Sequence, residues 1–334
     1  MYRDLVSRLS YIVPPESQLS CFRMSSCREE FSLDALRLRY HDSSVFSRSP
    51  WFLGQVGFVV YRALVAALTL AILVYLPVDH YRVLGRSDPW PIALTNWSFT
   101  VLTAHMVVAL VVCVVEFVSR KGVRPTTVAN KSENTGDTDT VQTDPMTEIG
   151  HGEDSDVETI QDNCGLAWYH KVHWILHNTS ITAAFFVTTL YWTLDSGTVL
   201  VSSILEHVVN SIIALLDLLV SGTPVTILNV IYPVAYAAVY AVFYVNYWAA
   251  GGKGRDGSTA IYPVIDFGKD PGMASGILVG FVFVAVPAFH FLSYGLYRLR
   301  ELVVTKIKRR TSPVTTLSSE LETTNSRDVH SQVA

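Results

Sequence analysis

The sequence is short of charge. Asp, Glu, Lys and Arg make up 16% of its 334 residues, against about 25% in an ordinary soluble domain. It has no basic surplus either. The formal net charge is −4, so no cationic surface is expected for nucleic acid and no such partner is assigned. Four cysteines, Cys21, Cys27, Cys113 and Cys164, lack the spacing of a disulfide framework or a metal knuckle. No apolar run of signal-peptide length stands in residues 1–50, so the first long run is expected to act as its own insertion signal. Ten-residue alternating strands, the pattern of a membrane barrel, are missing too.

What is present is apolar: half of all residues are Ala, Val, Ile, Leu, Met, Phe, Trp, Tyr or Cys. They gather in six runs, at 53–76, 92–118, 172–194, 199–220, 226–248 and 274–297. Each reaches the roughly 20 residues that cross about 30 Å of hydrocarbon as a helix. Within lipid the backbone must satisfy its own hydrogen bonds, so runs of this length are helical. The expected fold class is therefore all-α, an integral membrane bundle of six transmembrane helices. The expected organisation is a cytoplasmic segment 1–51, helices one and two in 52–118, an acidic loop 119–167, helices three to six in 168–297, and a tail 298–334.

Lys and Arg set the orientation. Seven lie in residues 1–50, five in 119–171 and seven after 297, which makes 19, while the opposite loops hold five. The asymmetry places both termini and the 119–167 loop in the cytoplasm, N-in and C-in. The stretch 125–163 carries ten acidic residues and one lysine. Such a segment cannot bury enough apolar area to offset its ordering entropy, and it is expected to be disordered. The Gly-rich stretch 251–257 lacks the P-loop spacing and reads as a loop on the outer face.

Ionisable groups inside spans are costly and each needs a reason. Arg62 in the first span, about 15 Å from its inner end, shares a depth zone in the inner half with Asp217 in the fourth span, His177 and His290. Arg62 and Asp217 are expected to form a buried ion pair that fixes helix packing. A proton or ion relay through Asp217 and the histidines is the sharper alternative and would make the chain an ion- or proton-coupled transporter. His170, His173 and His177 share one helix face, but no acidic or cysteine partner stands with them on that helix. No metal or other cofactor is assigned, and His170 is expected in an interfacial aromatic belt beside Trp168 and Tyr169.

A second polar zone lies in the outer half. Thr95 and Asn96 open the second span, and the fourth contains Glu206, His207, Asn210 and Ser211. Thr95 beside His207 would be the minimum for a base-activated nucleophile. The alternative is helix-to-helix hydrogen bonding, common among polar residues in bundles.

Several segments resemble the rolling stone family of multi-pass membrane proteins. They are Cys27-Arg28-Glu29-Glu30-Phe31-Ser32-Leu33, Leu38-Arg39-Tyr40-His41-Asp42, Arg48-Ser49-Pro50-Trp51, Tyr61-Arg62 and Leu94-Thr95-Asn96-Trp97. Further along come His207-Val208-Val209-Asn210-Ser211, Leu216-Asp217, Pro224-Val225, Ile231-Tyr232-Pro233 and Ile261-Tyr262-Pro263-Val264-Ile265-Asp266. The resemblance covers about residues 27–118 and 168–297. It implies a non-enzymatic membrane protein in cell–cell fusion of the myoblast type, or in a related membrane process, with the bilayer and an unknown protein as partners.

A more distant resemblance is to the androgen-induced and androgen-dependent membrane proteins. It implies a hydrolase of fatty acid esters of hydroxy fatty acids with an intramembrane Thr and His. Thr95 falls where that family has its Thr. The family's catalytic His falls on Asn210, and His207 matches its other His. Asn96, Glu206, Asn210 and Asp266 would then support the site, with a lipid ester as ligand. An amide cannot serve as general base, so this reading needs His207 to take that role.

The side assignments are directly testable. A tag inserted in the 125–163 loop should stay hidden from antibody in intact cells and be labelled after permeabilisation. Labelling of intact cells would overturn the topology.

Overall fold

The computed structural model describes residues 38–40, 42–51, 53–122, 166–194, 199–254 and 257–311. The acidic loop 125–163, most of the N-terminal segment and the tail beyond Thr311 lie outside them. Among the described residues all regular structure is helical. Helix α1 covers Gln55–Val78 and runs on through a π turn at Asp79–Val83. Helix α2 is Leu94–Gly122 and α3 is Trp168–Leu194. Helix α4, Val201–Val220, contains a π segment at Ile204–Val209. Helix α5, Ile231–Ala249, follows a 3-10 turn at Ile227–Val230. Helix α6 joins Pro271–Gly280, a π turn at Phe281–Ala285 and Val286–Thr311.

Local chemistry explains where these helices begin and end. Asp270 accepts a hydrogen bond from the Met273 amide and Pro271 occupies the first turn of α6, which satisfies a free amide and removes another. Pro77 lies inside α1 one residue before its last position. There it removes a backbone donor, and the π turn at Asp79–Val83 follows directly. The last span was expected to stop at 297. Helix α6 instead continues to Thr311, because the residues past 297 include Leu299, Leu302, Val303 and Val304 among the charges and sustain the helical pattern.

Among the described residues, five helices are long and apolar enough to cross a membrane: Gln55–Val83, Leu94–Ser119, Val201–Val220, Ile227–Ala249 and Pro271–Arg310. Helix α3 is as long but more polar. Its face carries His170, His173, His177, Asn178, Thr179, Ser180 and Thr182, all buried. The polarity reflects position. Helix α3 packs against α2, α4, α5 and α6, while α1 packs on α2. A helix surrounded by protein need not present an apolar face to lipid.

The outer surface has the opposite composition. Val56, Val60, Leu64 and Leu68 recur every four residues along α1, and all are exposed. Leu64 is 67% exposed whereas Arg62 is 0%. Aliphatic stripes on the outside with charges sealed inside invert the soluble pattern. They are what a protein dissolved in hydrocarbon requires.

One end of the bundle is closed by the segment before α1. A 3-10 turn at Ser43–Phe46 inserts Phe46, fully buried, against Trp174, His170 and His173. Trp51 Nε1 donates to the Leu219 carbonyl at 2.6 Å, and Gln55 Nε2 donates to the Ser47 carbonyl at 2.9 Å. The Gly222 amide donates to the Arg48 carbonyl at 2.9 Å. Only a glycine permits that approach, since a Cβ on residue 222 would stand 2.5 Å from the Val45 carbonyl oxygen and 2.9 Å from that of Arg48. Gly222→Ala should therefore displace the 42–51 segment and lower stability by about 1–3 kcal/mol, the usual cost of overpacking. Thermal unfolding in detergent and faster proteolysis within 42–51 are the measurements. An unchanged melting temperature would contradict the close packing.

Candidate functional site

The inner polar cluster is assembled from four helices. Arg62 comes from α1, His105 from α2, His173 and His177 from α3, and Asp217 from the last turn of α4. Each is 0% exposed. Arg62 Nη1 donates to Asp217 Oδ1 in a buried ion pair. The other carboxylate oxygen, Oδ2, lies 3.1 Å from His177 Nδ1 and 3.6 Å from His105 Nε2. His105 Nδ1 shares a hydrogen bond with Ser180 Oγ at 3.2 Å. The His105 and His173 rings stack at 5.2 Å and 18°. The guanidinium carbon of Arg62 sits 5.0 Å from the centroid of the Phe58 ring, a cation–π contact strengthened by the lack of water.

Among the described residues several polar atoms here have no hydrogen-bond partner: Arg62 Nε and Nη2, Tyr61 Oη, His105 Nε2, both nitrogens of His173 and His177 Nε2. Buried groups without partners are few in native structures, and each calls for an explanation such as a bound water or ion.

A second cation closes the neighbouring helix end. Arg300 of α6 donates through Nη1 to the carbonyls of Ser221 and of Leu218, the latter at 3.2 Å. These are terminal acceptors of α4, left without intrahelical partners and lying at the negative end of its dipole. Arg300 Nη2 also pairs with Glu301 at 2.8 Å.

Two histidines at this end have other surroundings than those of the cluster. His170 was expected at an interface, but it is 2% exposed, lies under Phe46 and stands 3.4 Å from Glu116. The 42–51 segment covers it, and no hydropathy pattern in α3 announces that cover. His290 shares the depth of the cluster but bonds elsewhere, to the Thr226 carbonyl at 2.9 Å and to Thr182 Oγ1 at 3.5 Å. His105 and Arg300 were overlooked in the sequence. The signal for His105 was available, since it is an ionisable residue within an apolar run, the same criterion that picks out Arg62.

The outer polar zone is organised differently. Among the described residues no hydrogen bond joins Thr95 to His207. Thr95 is half-buried. His207 lies in the π segment of α4, stacks on Tyr191 at 3.9 Å and 11°, and has no partner at Nδ1. Its carbonyl accepts from Thr188 Oγ1 at 2.8 Å, and Ser211 Oγ donates to Thr188 Oγ1 at 2.7 Å. Asn210 Nδ2 donates to Ser98 Oγ at 3.4 Å, and Asn96 Nδ2 donates to the Trp90 carbonyl. Glu206 is half-buried in the same π segment.

Asp266 lies in the loop between α5 and α6, away from the spans. It accepts from the Gly268 amide at 2.9 Å and from Thr259 Oγ1 at 3.2 Å, and pairs with Lys269 at 3.4 Å. Partial burial pushes its carboxyl up, but the Gly268 amide, Lys269 and Thr259 outweigh that effect and hold it below the ordinary aspartate range. These bonds all stay within its own loop. The loop in turn reaches the start of α2, where Tyr262 Oη accepts from the Leu94 amide at 2.8 Å.

Lipid-facing aliphatic stripes around sealed charges define a multi-pass helical membrane protein. The chain is similar to rolling stone proteins. The family model described as "Protein rolling stone" matches residues 154–316. Protein rolling stone of Drosophila melanogaster is 23% identical over 271 residues, which cover 79% of this chain and 86% of that relative. No solved structure matches. The family match contains His173, His177, Asp217 and Arg300, whereas Arg62 and His105 lie before it.

The buried ion pair makes a quantitative expectation. Removing one partner leaves an uncompensated charge, at about 3–5 kcal/mol. Arg62→Ala and Asp217→Ala should each cut folded yield sharply. The double variant should recover part of it through the coupling of adjacent sites. Size-exclusion recovery of the three variants is the measurement, and a double variant as poor as the sum of the singles would show that the pair contributes nothing.

Proposed function

We propose that the chain is a six-span, non-enzymatic membrane protein, with both termini and the 119–167 loop in the cytoplasm, acting in cell–cell fusion of the myoblast type or a related membrane process. Its partners on this reading are the bilayer and a protein on the same or the apposed membrane. Helix α3 is the sixth span. Its 27 residues reach about 40 Å at 1.5 Å per residue, more than the ~30 Å hydrocarbon core. Its contacts with four other helices account for its polarity. The observation that carries the non-enzymatic reading is the outer polar zone. Thr188, Ser211, Asn210 and Asn96 engage in bonds within and between helices, and Thr95 makes no hydrogen bond to the His207 imidazole.

The alternative is an intramembrane threonine hydrolase of a lipid ester. It draws on one observation, that His207 sits in a π-widened turn with Nδ1 unpartnered. Such widened turns recur at functional sites. This reading needs Thr95 brought within hydrogen-bond reach of that ring, ~2.6–3.2 Å.

One experiment separates the two. The protein is depleted from fusing myoblasts, and wild type or Thr95→Ala is restored at matched surface expression. Fusion index should fall on depletion and recover with both. Recovery with wild type alone would favour the hydrolase, and a fusion index indifferent to depletion would remove the fusion role.

A further inference from the structure

The histidine face of α3 lacks an acidic companion on its own helix, but the bundle supplies one from α4. His105, His177 and Asp217 each direct a donor atom into one space, all three within 4.8 Å of one another. The geometry points to a transition-metal site at this place, taking Zn2+ or a similar first-row divalent ion through His105 Nε2, His177 Nδ1 and Asp217 Oδ2.

The spacing fits that chemistry. Two donors each ~2.1 Å from a tetrahedral ion stand about 3.4 Å apart. The observed Oδ2 separations are 3.1 Å to His177 Nδ1 and 3.6 Å to His105 Nε2. The second of these is too long for a good hydrogen bond, and His105 Nε2 has no partner although fully buried. Two imidazoles with one carboxylate form a donor set for zinc and its neighbours, whereas Ca2+ and Mg2+ prefer all-oxygen cages.

The surrounding residues orient the ligands. Ser180 Oγ gives its own proton to the His177 carbonyl at 3.3 Å, so it can accept from the other nitrogen of His105 at 3.2 Å, which holds the ring plane and leaves Nε2 free for an ion. Arg62 holds Oδ1 of Asp217 and leaves Oδ2 turned toward the imidazoles. His177 carries a single ring proton when neutral. Coordination through Nδ1 moves that proton to Nε2, which has no partner at present. His173 is stacked on His105 with neither nitrogen bonded, and the fourth position falls to its imidazole or to a water. The nearby guanidinium opposes any cation. The site therefore selects ions with strong bonds to imidazole, toward the Cu2+ and Zn2+ end of the divalent series.

The test uses the full chain in detergent, stripped with chelator and titrated with Co2+ and then Zn2+. One ion per chain should bind by elemental analysis, Co2+ should develop the visible absorption of a four-coordinate site, and Zn2+ should abolish it. His105→Gln and His177→Gln should each weaken binding at least tenfold. His290→Gln, in the same bundle but bonded to Thr226, should bind as wild type. X-ray absorption at the zinc edge of the wild-type chain should show imidazole scattering, and this readout needs no variant to fold. The site is refuted by a wild-type chain that takes up no stoichiometric metal, by an edge spectrum without imidazole, or by a His105→Gln/His177→Gln chain that still binds.

Discussion

A guanidinium and a carboxylate with no solvent contact persist inside a membrane-spanning bundle only by facing each other. Arg62 enters near the start of α1 and Asp217 near the end of α4, so their pairing sets the relative height of two helices far apart in sequence. The other polar groups take their places from it. His177 uses the oxygen of Asp217 that Arg62 leaves free, His105 stands across from the same oxygen, and Ser180 holds His105 from behind. Phe58 covers the guanidinium. Pairing of this kind is more secure as a constraint on register than as a source of stability, because desolvating the two charges offsets most of their attraction.

The same logic accounts for α3. In lipid an apolar surface gains nothing from being buried, so helix association rests on close packing and interhelical hydrogen bonds. Helix α3 concentrates the bonding groups. Its Trp174 Nε1 donates to the Pro224 carbonyl at 2.7 Å, its Ser180 bonds His105 of α2, and its Thr188 bonds the His207 carbonyl of α4. The price of that role is a low hydropathy, which separates α3 from the five helices that look like spans in isolation. Polarity and central position are two aspects of one arrangement.

The 42–51 segment adds a second level of organisation at the end where the charges lie. Phe46 covers His170 and His173, Trp51 bonds the end of α4, and Gly222 lets two stretches of backbone touch. Arg300 completes that end by satisfying the α4 carbonyls. Of the polar cluster, His173, His177 and Asp217 fall within the residues matched to the rolling stone family, and Arg62 and His105 precede them. The cluster therefore depends on α1 and α2 joining the matched part of the chain.

The all-helical class, the place of each apolar helix, though not the extension of α6 to Thr311, and the presence of unusual charges inside spans could all be read from the sequence. Each depends on local composition: about 20 apolar residues are needed to cross hydrocarbon, and any ionisable residue among them stands out. Arg62 and Asp217 were legible as partners because both are conspicuous and their depths agree. The sequence could not show that His105 and Asp217 complete the histidine face of α3, that Phe46 covers His170, or that Thr95 and His207 make no hydrogen bond to each other. Those relations depend on how each helix is rotated about its axis and how far it slides against its neighbours. Rotation and height are set by interhelical packing, and only the assembled bundle specifies them.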